Sequence, residues 1–253
     1  MKEITPTTQL TTPPAILIEG APGTAKTTLA LQFPSVYHAD LDLNSDGPIR
    51  YLRSVNKLRP YHTDTIALAD DHTPESPKVI KEEERYDRLI TSLKSAVSDP
   101  RIKWIIVDGM TQLDTFIHAK VHKATGKSVG TPLAIQDWRP FREYLMQVIQ
   151  ILRYSGKPTI TICHLESVMS EQVKGQMASV IGYKPLVSTK IGEVFAGFFT
   201  DVWLMTASPA PQGKTLFKLH TQKQHLYGDL KNAYLMPAVI ENPTYEEISK
   251  YIK

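Results

Sequence analysis

Residues 15–31 read AILIEGAPGTAKTTLAL, and three features follow one another in this stretch. The apolar run from Ala15 to Ile18 predicts a buried strand, a loop rich in small residues comes next, and the pattern then becomes helical. This order is typical of a site that holds the phosphates of a nucleoside triphosphate. A chance glycine-rich turn is the alternative, which the flanking strand and helix disfavour. The candidate ligand-binding residues are Gly20, Ala21, Pro22, Gly23, Thr24, Ala25, Lys26, Thr27 and Thr28.

The chemistry of a polyphosphate explains these residue types. Several backbone N–H groups must point inward, and small residues let the chain wrap closely around the phosphates at the positive end of a helix. Lys26 is predicted to reach the β- and γ-phosphates, and the hydroxyl group of Thr27 to bind Mg²⁺. Position 25 departs from the usual G-x-x-x-x-G-K-[ST] pattern, because it is Ala. We expect Ala25 to be tolerated only with a negative φ and with its methyl group directed away from phosphate.

Length and composition suit one large domain, or one core with an appendage. The chain has 253 residues, 42% of them hydrophobic and 22% charged, and its net charge of +3 permits contact with nucleic acid without requiring it. A single cysteine, Cys163, excludes a disulfide framework and indicates a reducing compartment. No apolar stretch reaches about 18 residues, and the N-terminal sequence lacks the apolar core of a signal peptide. We therefore expect a cytoplasmic protein without a membrane span.

Four short apolar strands alternate with helical segments, which predicts an α/β fold with a mostly parallel sheet and helices on both faces. The strands are expected at 15–18, 35–42, 104–108 and 159–163, and the helices at 48–58, 85–98, 110–125 and 136–154. Residues 202–205 and 216–219 predict a C-terminal antiparallel hairpin. Segments 69–84 and 165–192 are expected to be loops, the second with a short helix. The expected organisation is an N-terminal arm at 1–14, a core at 15–235 and a C-terminal tail at 236–253.

Gly20, Asp42, Asp108 and His164 each stand at the carboxyl end of a predicted strand. In parallel sheets, ligands bind at this edge, so agreement among the four positions favours one shared site. Asp108 is predicted to hold Mg²⁺, usually through water, and the alternative is a cap on the next helix.

Asp40 and Asp42 are alternative candidates for the general base. Hydrolysis needs a carboxylate that orients the attacking water beside the γ-phosphate. Because Gly109 and Met110 follow Asp108, no acid stands directly beside the metal aspartate, and the base must come from another strand. We favour Asp42, and the alternative is that DLDLNSDG forms a solvated turn.

Three histidines have possible roles. His164 is predicted to sense the γ-phosphate and to pass its state to the polar loop that follows, the alternative being an ordinary histidine at a strand end. His118 and His122 have metal-ligand spacing on a helix. Because Ala119 stands where the zinc-protease pattern has Glu, we expect an exposed helix there instead.

No arginine follows Arg153, which argues against the arginine-rich lid of small-molecule kinases. If a cation from a neighbouring copy completes the site, lysine must supply it from this half, unless Arg139 or Arg142 does. GTP is disfavoured because residues 56–59, NKLR, only partly match the guanine-reading N-K-x-D pattern.

The phosphate loop and these strand ends resemble those of phage-type RecA-like nucleotide-binding proteins, the single-strand annealing and recombination ATPases of bacteriophages. The resemblance covers about residues 14–225 and implies a core with strand order 5-1-4-3-2. HADLDLNSDGPIRYL is similar to the stretch that carries the water-activating acid, which places Asp42 at that acid. The segment 104–108 matches the family's Walker B strand, and His164 matches its sensor position.

The resemblance also implies contacts beyond the nucleotide. The loop after the sensor, about 166–190, would contact single-stranded DNA through Lys174, Lys184 and Lys190. Residues 223–225 are similar to a Lys-x-Arg pair that reaches a neighbour's ATP, with His225 in place of Arg. Lys223 alone would then serve as the cation, and slow hydrolysis is expected.

These features predict a Mg²⁺-dependent ATPase that binds single-stranded DNA, self-associates as a filament or ring, and assists phage-type recombination or annealing. A single-strand-binding or replication protein is a further expected partner, and the expected location is the cytoplasm of a bacterial or phage-infected cell. DNA binding should tolerate any sequence and weaken with salt. Two alternatives stay open: an AAA-type motor or loader that acts on a protein, and a nucleotide-gated structural module with little turnover.

Overall fold

A computed structural model describes residues 12–69, 78–128, 130–170, 178–188, 191 and 194–252. The strands are β1 (Ala15–Glu19), β2 (Val36–Asp40), β3 (Tyr61–Thr65), β4 (Trp104–Asp108), β5 (Thr159–Cys163), β6 (Leu165–Met169), β7 (Val180–Pro185), β8 (Asp201–Pro209), β9 (Thr215–His220) and β10 (Val239–Glu241). The helices are α1 (Lys26–Ala30), α2 (Asp46–Ser54), α3 (Glu82–Ser98), α4 (Met110–Thr125), α5 (Trp138–Arg153) and α6 (Tyr245–Ile248). Short 3-10 turns stand at Ile135–Asp137, Ala196–Phe198 and Pro211–Gly213.

Eight strands form one sheet in the order β10-β9-β8-β1-β5-β4-β2-β3, and β6 pairs with β7 in a separate antiparallel hairpin. The core strands β1, β2, β4, β5 and β8 are parallel and, numbered one to five along the chain, lie in the order 5-1-4-3-2. This confirms the α/β architecture and the expected strand order. The predicted C-terminal hairpin is also present, since β9 pairs antiparallel with β8.

The sheet separates two apolar cores, because successive side chains of each strand point to opposite faces. In β1, Leu17 joins the core covered by α3, α4 and α5, whereas Ile16 and Ile18 join the core covered by α1, α2 and α6. With both faces covered, β4 and β5 are buried along their whole length, which explains their continuous apolar runs. Because the core strands are parallel, their carboxyl ends lie at the same edge of the sheet, where polar residues can converge.

Several expectations about single segments need correction. The stretch 165–192, expected to be loops with a short helix, contains the β6–β7 hairpin, whose residues lack a simple apolar alternation. β3 was not expected, because its sequence YHTDT is mostly polar at the outer edge of the sheet. The expected arm lies mainly in residues 1–11 and much of the expected loop in residues 70–77, both outside the described residues.

Within the ranges that the structure describes, no helix is long and apolar enough to cross a membrane.

Candidate active site

A cleft of about 550 Å³ lies at the carboxyl ends of the core strands. Its lining brings together these residues singled out from the sequence: Pro22, Gly23, Thr24, Ala25, Lys26, Thr27, Thr28, Asp42, Asp108 and His164. They arrive from the carboxyl ends of β1, β2, β4 and β5 or from the segments that follow these ends. Lys223 stands elsewhere, on an exposed turn after β9.

Two glycines shape the loop between β1 and α1. At Gly20, an added Cβ atom would lie 2.4 Å from the backbone oxygen of Met205 and 2.8 Å from Oγ1 of Thr24, so no side chain fits there. Gly23 has a φ of 76°, in the left-handed region that glycine adopts without strain. The path of the backbone therefore explains the glycines at positions 20 and 23.

The prediction that Ala25 has a negative φ is wrong. This residue has φ 65° and ψ 25°, a left-handed conformation that costs an L-residue roughly 1–2 kcal/mol. Helix α1 starts at the next residue, and the Leu29 N–H donates to the Ala25 carbonyl oxygen at 3.0 Å. The side chain packs against the apolar core beside α1. Ala25 therefore takes the conformation for which glycine is usual and finds apolar neighbours for its methyl group.

The Lys26 ammonium group is folded back onto the phosphate loop. Its Nζ donates to the carbonyl oxygens of Gly20 and Ala21, both at 2.8 Å, and lies 3.4 Å from Nδ1 of His164. Burial lowers the pKa of Lys26 to about 8, although the carboxylates of Asp108 and Asp42 act in the opposite direction. Phosphate oxygens are stronger acceptors for an ammonium group than carbonyl oxygens, so an incoming polyphosphate has a cation to recruit.

Thr27 and Asp108 form the closest polar pair in the cleft. The Thr27 hydroxyl donates to Oδ2 of Asp108 at 2.6 Å, and Nε2 of His38 lies 3.4 Å from the same oxygen. His38 is fully buried in the middle of β2, and the Thr63 hydroxyl donates to its carbonyl oxygen at 3.1 Å. Hydroxyl and carboxylate oxygens beside a phosphate loop fit Mg²⁺, which binds through one or two protein oxygens together with substrate phosphates.

The Asp42 carboxylate lies directly against Gly109. A Cβ atom added to Gly109 would be 2.2 Å from Oδ1 of Asp42, so a side chain at position 109 and Asp42 cannot share this space. Within the described residues, this buried Oδ1 has no hydrogen-bond partner. Burial, helped by the charges of Asp108 and Asp40, raises the pKa of Asp42 to about 7, while Lys26 opposes the shift. Such a carboxyl group is poised to exchange a proton near neutral pH.

Asp40, the alternative base, is engaged in shaping the backbone. Its Oδ1 accepts from the Leu43 N–H at 2.9 Å, and its Oδ2 accepts from the Ser45 hydroxyl at 2.5 Å. These bonds hold the turn between β2 and α2, where Leu43 has a φ of 59°. Asp40 thus positions the segment that carries Asp42, and it is absent from the lining of the cleft.

His164 lies between Lys26 and Asp42. Its Nδ1 is 3.4 Å from Lys26 Nζ, and its Nε2 is 3.9 Å from Oδ2 of Asp42. Burial, and after it the charge of Lys26, lowers the pKa of His164. Its backbone oxygen accepts from the Leu186 N–H at 2.7 Å, where the β6–β7 hairpin ends. The histidine therefore contacts the cleft through its ring and the hairpin through its backbone.

Sequence reasoning missed His38 and two aromatic residues of the site. Tyr51 and Phe217 line the first cleft and also a neighbouring cleft of about 530 Å³. The two clefts share Ala25 and Thr28, so they adjoin on α1. His38 could have been noticed as a polar residue inside an apolar strand, but nothing in the sequence indicates that Tyr51 of α2 and Phe217 of β9 line the same cavities.

The lysines expected to contact DNA are only partly described. Lys184 is on β7 and lies 3.2 Å from the Glu166 carboxylate on β6, so its charge is paired across the hairpin. Lys174 and Lys190 lie outside the described residues. Exposed apolar side chains stand at the distal end of the hairpin: Met169, Val180 and Ile181.

The helix carrying His118 and His122 is less exposed than expected. His122 is buried, and the His118 ring packs edge-on against Trp138 and Phe141. Among the described residues, no group of three or more His, Cys, Asp or Glu side chains is arranged to hold a metal ion. The i, i+4 spacing of these histidines reflects helix packing.

The sequence matches no known protein-family model and no curated protein. One solved structure similar to this chain is described as the crystal structure of the RadB recombinase, with 15% sequence identity and a TM-score of 0.44. That similarity covers 87% of this chain and 86% of the other chain.

Proposed function

We propose that this protein binds and hydrolyses ATP with Mg²⁺, through the cleft at the carboxyl ends of β1, β2, β4 and β5. The observation that carries the proposal is the convergence of Lys26, Thr27, Asp108 and Asp42 on one cleft beside a loop whose glycine cannot bear a side chain. Each has the chemistry that phosphoryl transfer to water requires: a phosphate-binding cation, metal-binding oxygens and a base.

Asp42 is the proposed general base and Lys26 the proposed phosphate-binding cation. With the pKa of Asp42 raised to about 7 by burial, its carboxylate accepts a proton from water more readily than an ordinary aspartate does. Thr27 and Asp108 would hold Mg²⁺, which when bound neutralises phosphate charge. Lys26 would exchange its two carbonyl acceptors for phosphate oxygens, and this exchange would remove it from His164.

Tyr51 and Phe217 are the proposed contacts for the nucleobase. They are aromatic residues on the part of the cleft that continues into the second cavity. A planar base gains roughly 1–3 kcal/mol from stacking on such rings. Adenine is preferred to guanine on the sequence argument about residues 56–59.

The proposed partners are single-stranded DNA and further copies of the chain, which would assemble as a filament or ring. The proposed process is phage-type recombination or annealing. The β6–β7 hairpin follows His164 directly, so a ligand on the hairpin would adjoin the γ-phosphate sensor. Lys223 would act on the ATP of a neighbouring copy, and a single-strand-binding or replication protein would be a further partner.

One observation favours a second candidate, an ATPase that acts on a protein partner. In the described part of the hairpin, Lys184 is paired with Glu166, while Met169, Val180 and Ile181 expose apolar side chains. Exposed apolar side chains such as these fit a protein surface better than a phosphate backbone.

ATP turnover with and without an oligothymidylate, measured across a salt series, separates the two candidates. The DNA reading predicts stimulation at low salt that disappears as salt rises, because phosphate contacts release counterions. Turnover without DNA binding at low salt would favour the protein partner, and no ATP binding would overturn both. The Lys26→Ala variant is the control for contaminating ATPases.

A further inference from the structure

His38 is a fully buried polar residue at the centre of β2, which lies between the parallel strands β3 and β4. In register, it stands beside Thr63 of β3 on one side and Ile106 of β4 on the other. Ile106 and Asp108 are two residues apart in β4, so their side chains point to the same face of the sheet. The ring of His38 shares that face and reaches forward to the carboxylate at the end of β4.

Each ring nitrogen of His38 has a polar neighbour. Nε2 lies 3.4 Å from Oδ2 of Asp108, and Nδ1 lies 3.4 Å from Oγ1 of Thr63. A threonine hydroxyl group both donates and accepts, so it suits Nδ1 with or without a hydrogen, whereas an ionised carboxylate only accepts. An Nε2 without a hydrogen would set its lone pair against those of Oδ2. The contact with Asp108 therefore requires the hydrogen on Nε2.

These contacts reach the proposed metal ligand from outside the cleft. Asp108 lines the cleft, whereas His38 and Thr63 are absent from its lining. From α1, Thr27 donates to the same Oδ2 of Asp108 at 2.6 Å. A carboxylate that is held from two different elements is restricted in its rotation, and partners of this kind orient the ligands of a metal site.

We propose that His38 is a positioning residue of the metal site, which donates its Nε2–H to Asp108 and is itself held by Thr63. The inference rests on the proposed function for the role of Asp108 as a Mg²⁺ ligand, whereas the contacts rest on the geometry of β3, β2 and β4. Without this donor, the carboxylate would rotate more freely and the affinity of the site for the metal would fall. The polar edge strand β3 also gains a role, because it supplies the hydroxyl group that meets Nδ1.

The hydrogen on Nε2 is tested without metal or nucleotide, by nuclear magnetic resonance of protein that contains ¹⁵N-labelled histidine. The ring signals of His38 are assigned by their loss in the His38→Asn variant. Nε2 is expected to carry a hydrogen, and the signal of that hydrogen is expected to shift in Asp108→Asn, which removes the charge and nearly keeps the volume of the side chain. A hydrogen on Nδ1 alone, or a signal that Asp108→Asn leaves unchanged, would overturn the inference.

The effect on the metal site is measured with Mn²⁺ as the probe, by electron paramagnetic resonance of protein saturated with a non-hydrolysable ATP analogue. Glutamine can place its amide nitrogen where Nε2 lies, whereas asparagine is too short to reach Asp108, although it can still meet Thr63. His38→Asn is therefore expected to weaken Mn²⁺ binding about tenfold or more, and His38→Gln to stay within about threefold of wild type. Thr63→Val should cause a smaller loss than His38→Asn, because it leaves the donor in place.

His122→Asn is the matched control, because His122 is also buried but lies on α4, outside the cleft. It should keep the wild-type affinity for Mn²⁺, and every variant should bind the ATP analogue equally in EDTA. Equal Mn²⁺ affinities of wild type and His38→Asn, or equal losses in His38→Asn and His122→Asn, would overturn the inference and leave the proposed ATPase intact. If the loaded wild type bound no Mn²⁺, the proposed function would be contradicted, and this inference with it.

Discussion

The two halves of the cleft differ in how tightly their polar groups are held. On one side, Thr27 and Asp108 share a 2.6 Å hydrogen bond, and Lys26 has two carbonyl acceptors at 2.8 Å. On the other, His164 lies 3.4–3.9 Å from its polar neighbours, and a buried oxygen of Asp42 has no partner within the described residues. We call the first half the binding half, because it is proposed to hold phosphate and Mg²⁺, and short hydrogen bonds fix its side chains. The second half holds Asp42 and His164 at longer distances from their polar neighbours.

The largest expected effect is the loss of ATP affinity when the ammonium group of Lys26 is removed. Lys26→Ala is expected to weaken ATP binding about 100-fold, because it removes charge-assisted hydrogen bonds to phosphate. Titration calorimetry measures the affinity. Lys157→Ala is a matched control, since Lys157 also donates to two backbone oxygens, Ala96 and Asp99, but outside the cleft. Equal affinities for wild type and Lys26→Ala would contradict the assignment of the binding half.

Gly109→Ala is expected to lower kcat, because it disturbs Asp42, with little effect on ATP binding. Its methyl group would enter the space of Asp42 Oδ1, so we expect a loss of roughly 10–100-fold in kcat from a displaced base. Gly47→Ala is the control, because Gly47 lines the same cleft but an added Cβ atom there has no neighbour within 4 Å. Steady-state kinetics would refute this explanation if both variants had the same kcat.

The pH dependence of kcat/KM should have one limb from each half. The proposed base Asp42 would act as the carboxylate, and burial raises its pKa to about 7, so the rate should fall about tenfold per pH unit below pH 7. Lys26 is proposed to bind phosphate as the ammonium ion, and burial lowers its pKa to about 8, so binding should weaken above that pH. A flat profile between pH 6 and 9, measured at constant ionic strength, would contradict both assignments.

Asp40 and Asp42 should affect stability with opposite signs. With a folded-state pKa above the usual 3.8, ionised Asp42 destabilises the fold increasingly as pH rises toward 7. Asp42→Asn should therefore raise the free energy of unfolding by about 1–2 kcal/mol at pH 8, and less at pH 4. Asp40→Asn should lower it by about 1 kcal/mol, because it disturbs the bonds to Leu43 and Ser45. Urea unfolding without nucleotide, at both pH values, measures the difference, and equal signs would contradict it.

The positions of Lys26, Thr27 and Asp108 at one edge of the sheet could be predicted from the sequence, because these residues follow or end an apolar strand. The loop from Gly20 to Thr27 and the run ending in Asp108 carry their own local patterns. The order of the core strands came from a family resemblance, and the structure confirms it. Local pattern did not, however, reveal that Ala25 adopts a left-handed φ, which depends on the path of the whole loop.

The rest of the site depends on packing between distant segments. Asp42 lies against Gly109, His38 lies 3.4 Å from Asp108, and Tyr51 and Phe217 line one cleft, although the members of each pair are far apart in the chain. The β6–β7 hairpin has too few alternating apolar residues to be recognised as a pair of strands. The sequence showed that no acid follows Asp108. In the structure, the Asp42 carboxylate occupies the space that a side chain at position 109 would need.

Parallel measurement of ATP affinity and single-turnover hydrolysis in wild type and Asp42→Asn tests the central claim most directly. If Asp42 is the base, the variant keeps its affinity for Mg·ATP within about threefold, while hydrolysis slows by about 10²–10⁴-fold. Hydrolysis at the wild-type rate in the Asp42→Asn variant would remove Asp42 from the mechanism and contradict the account.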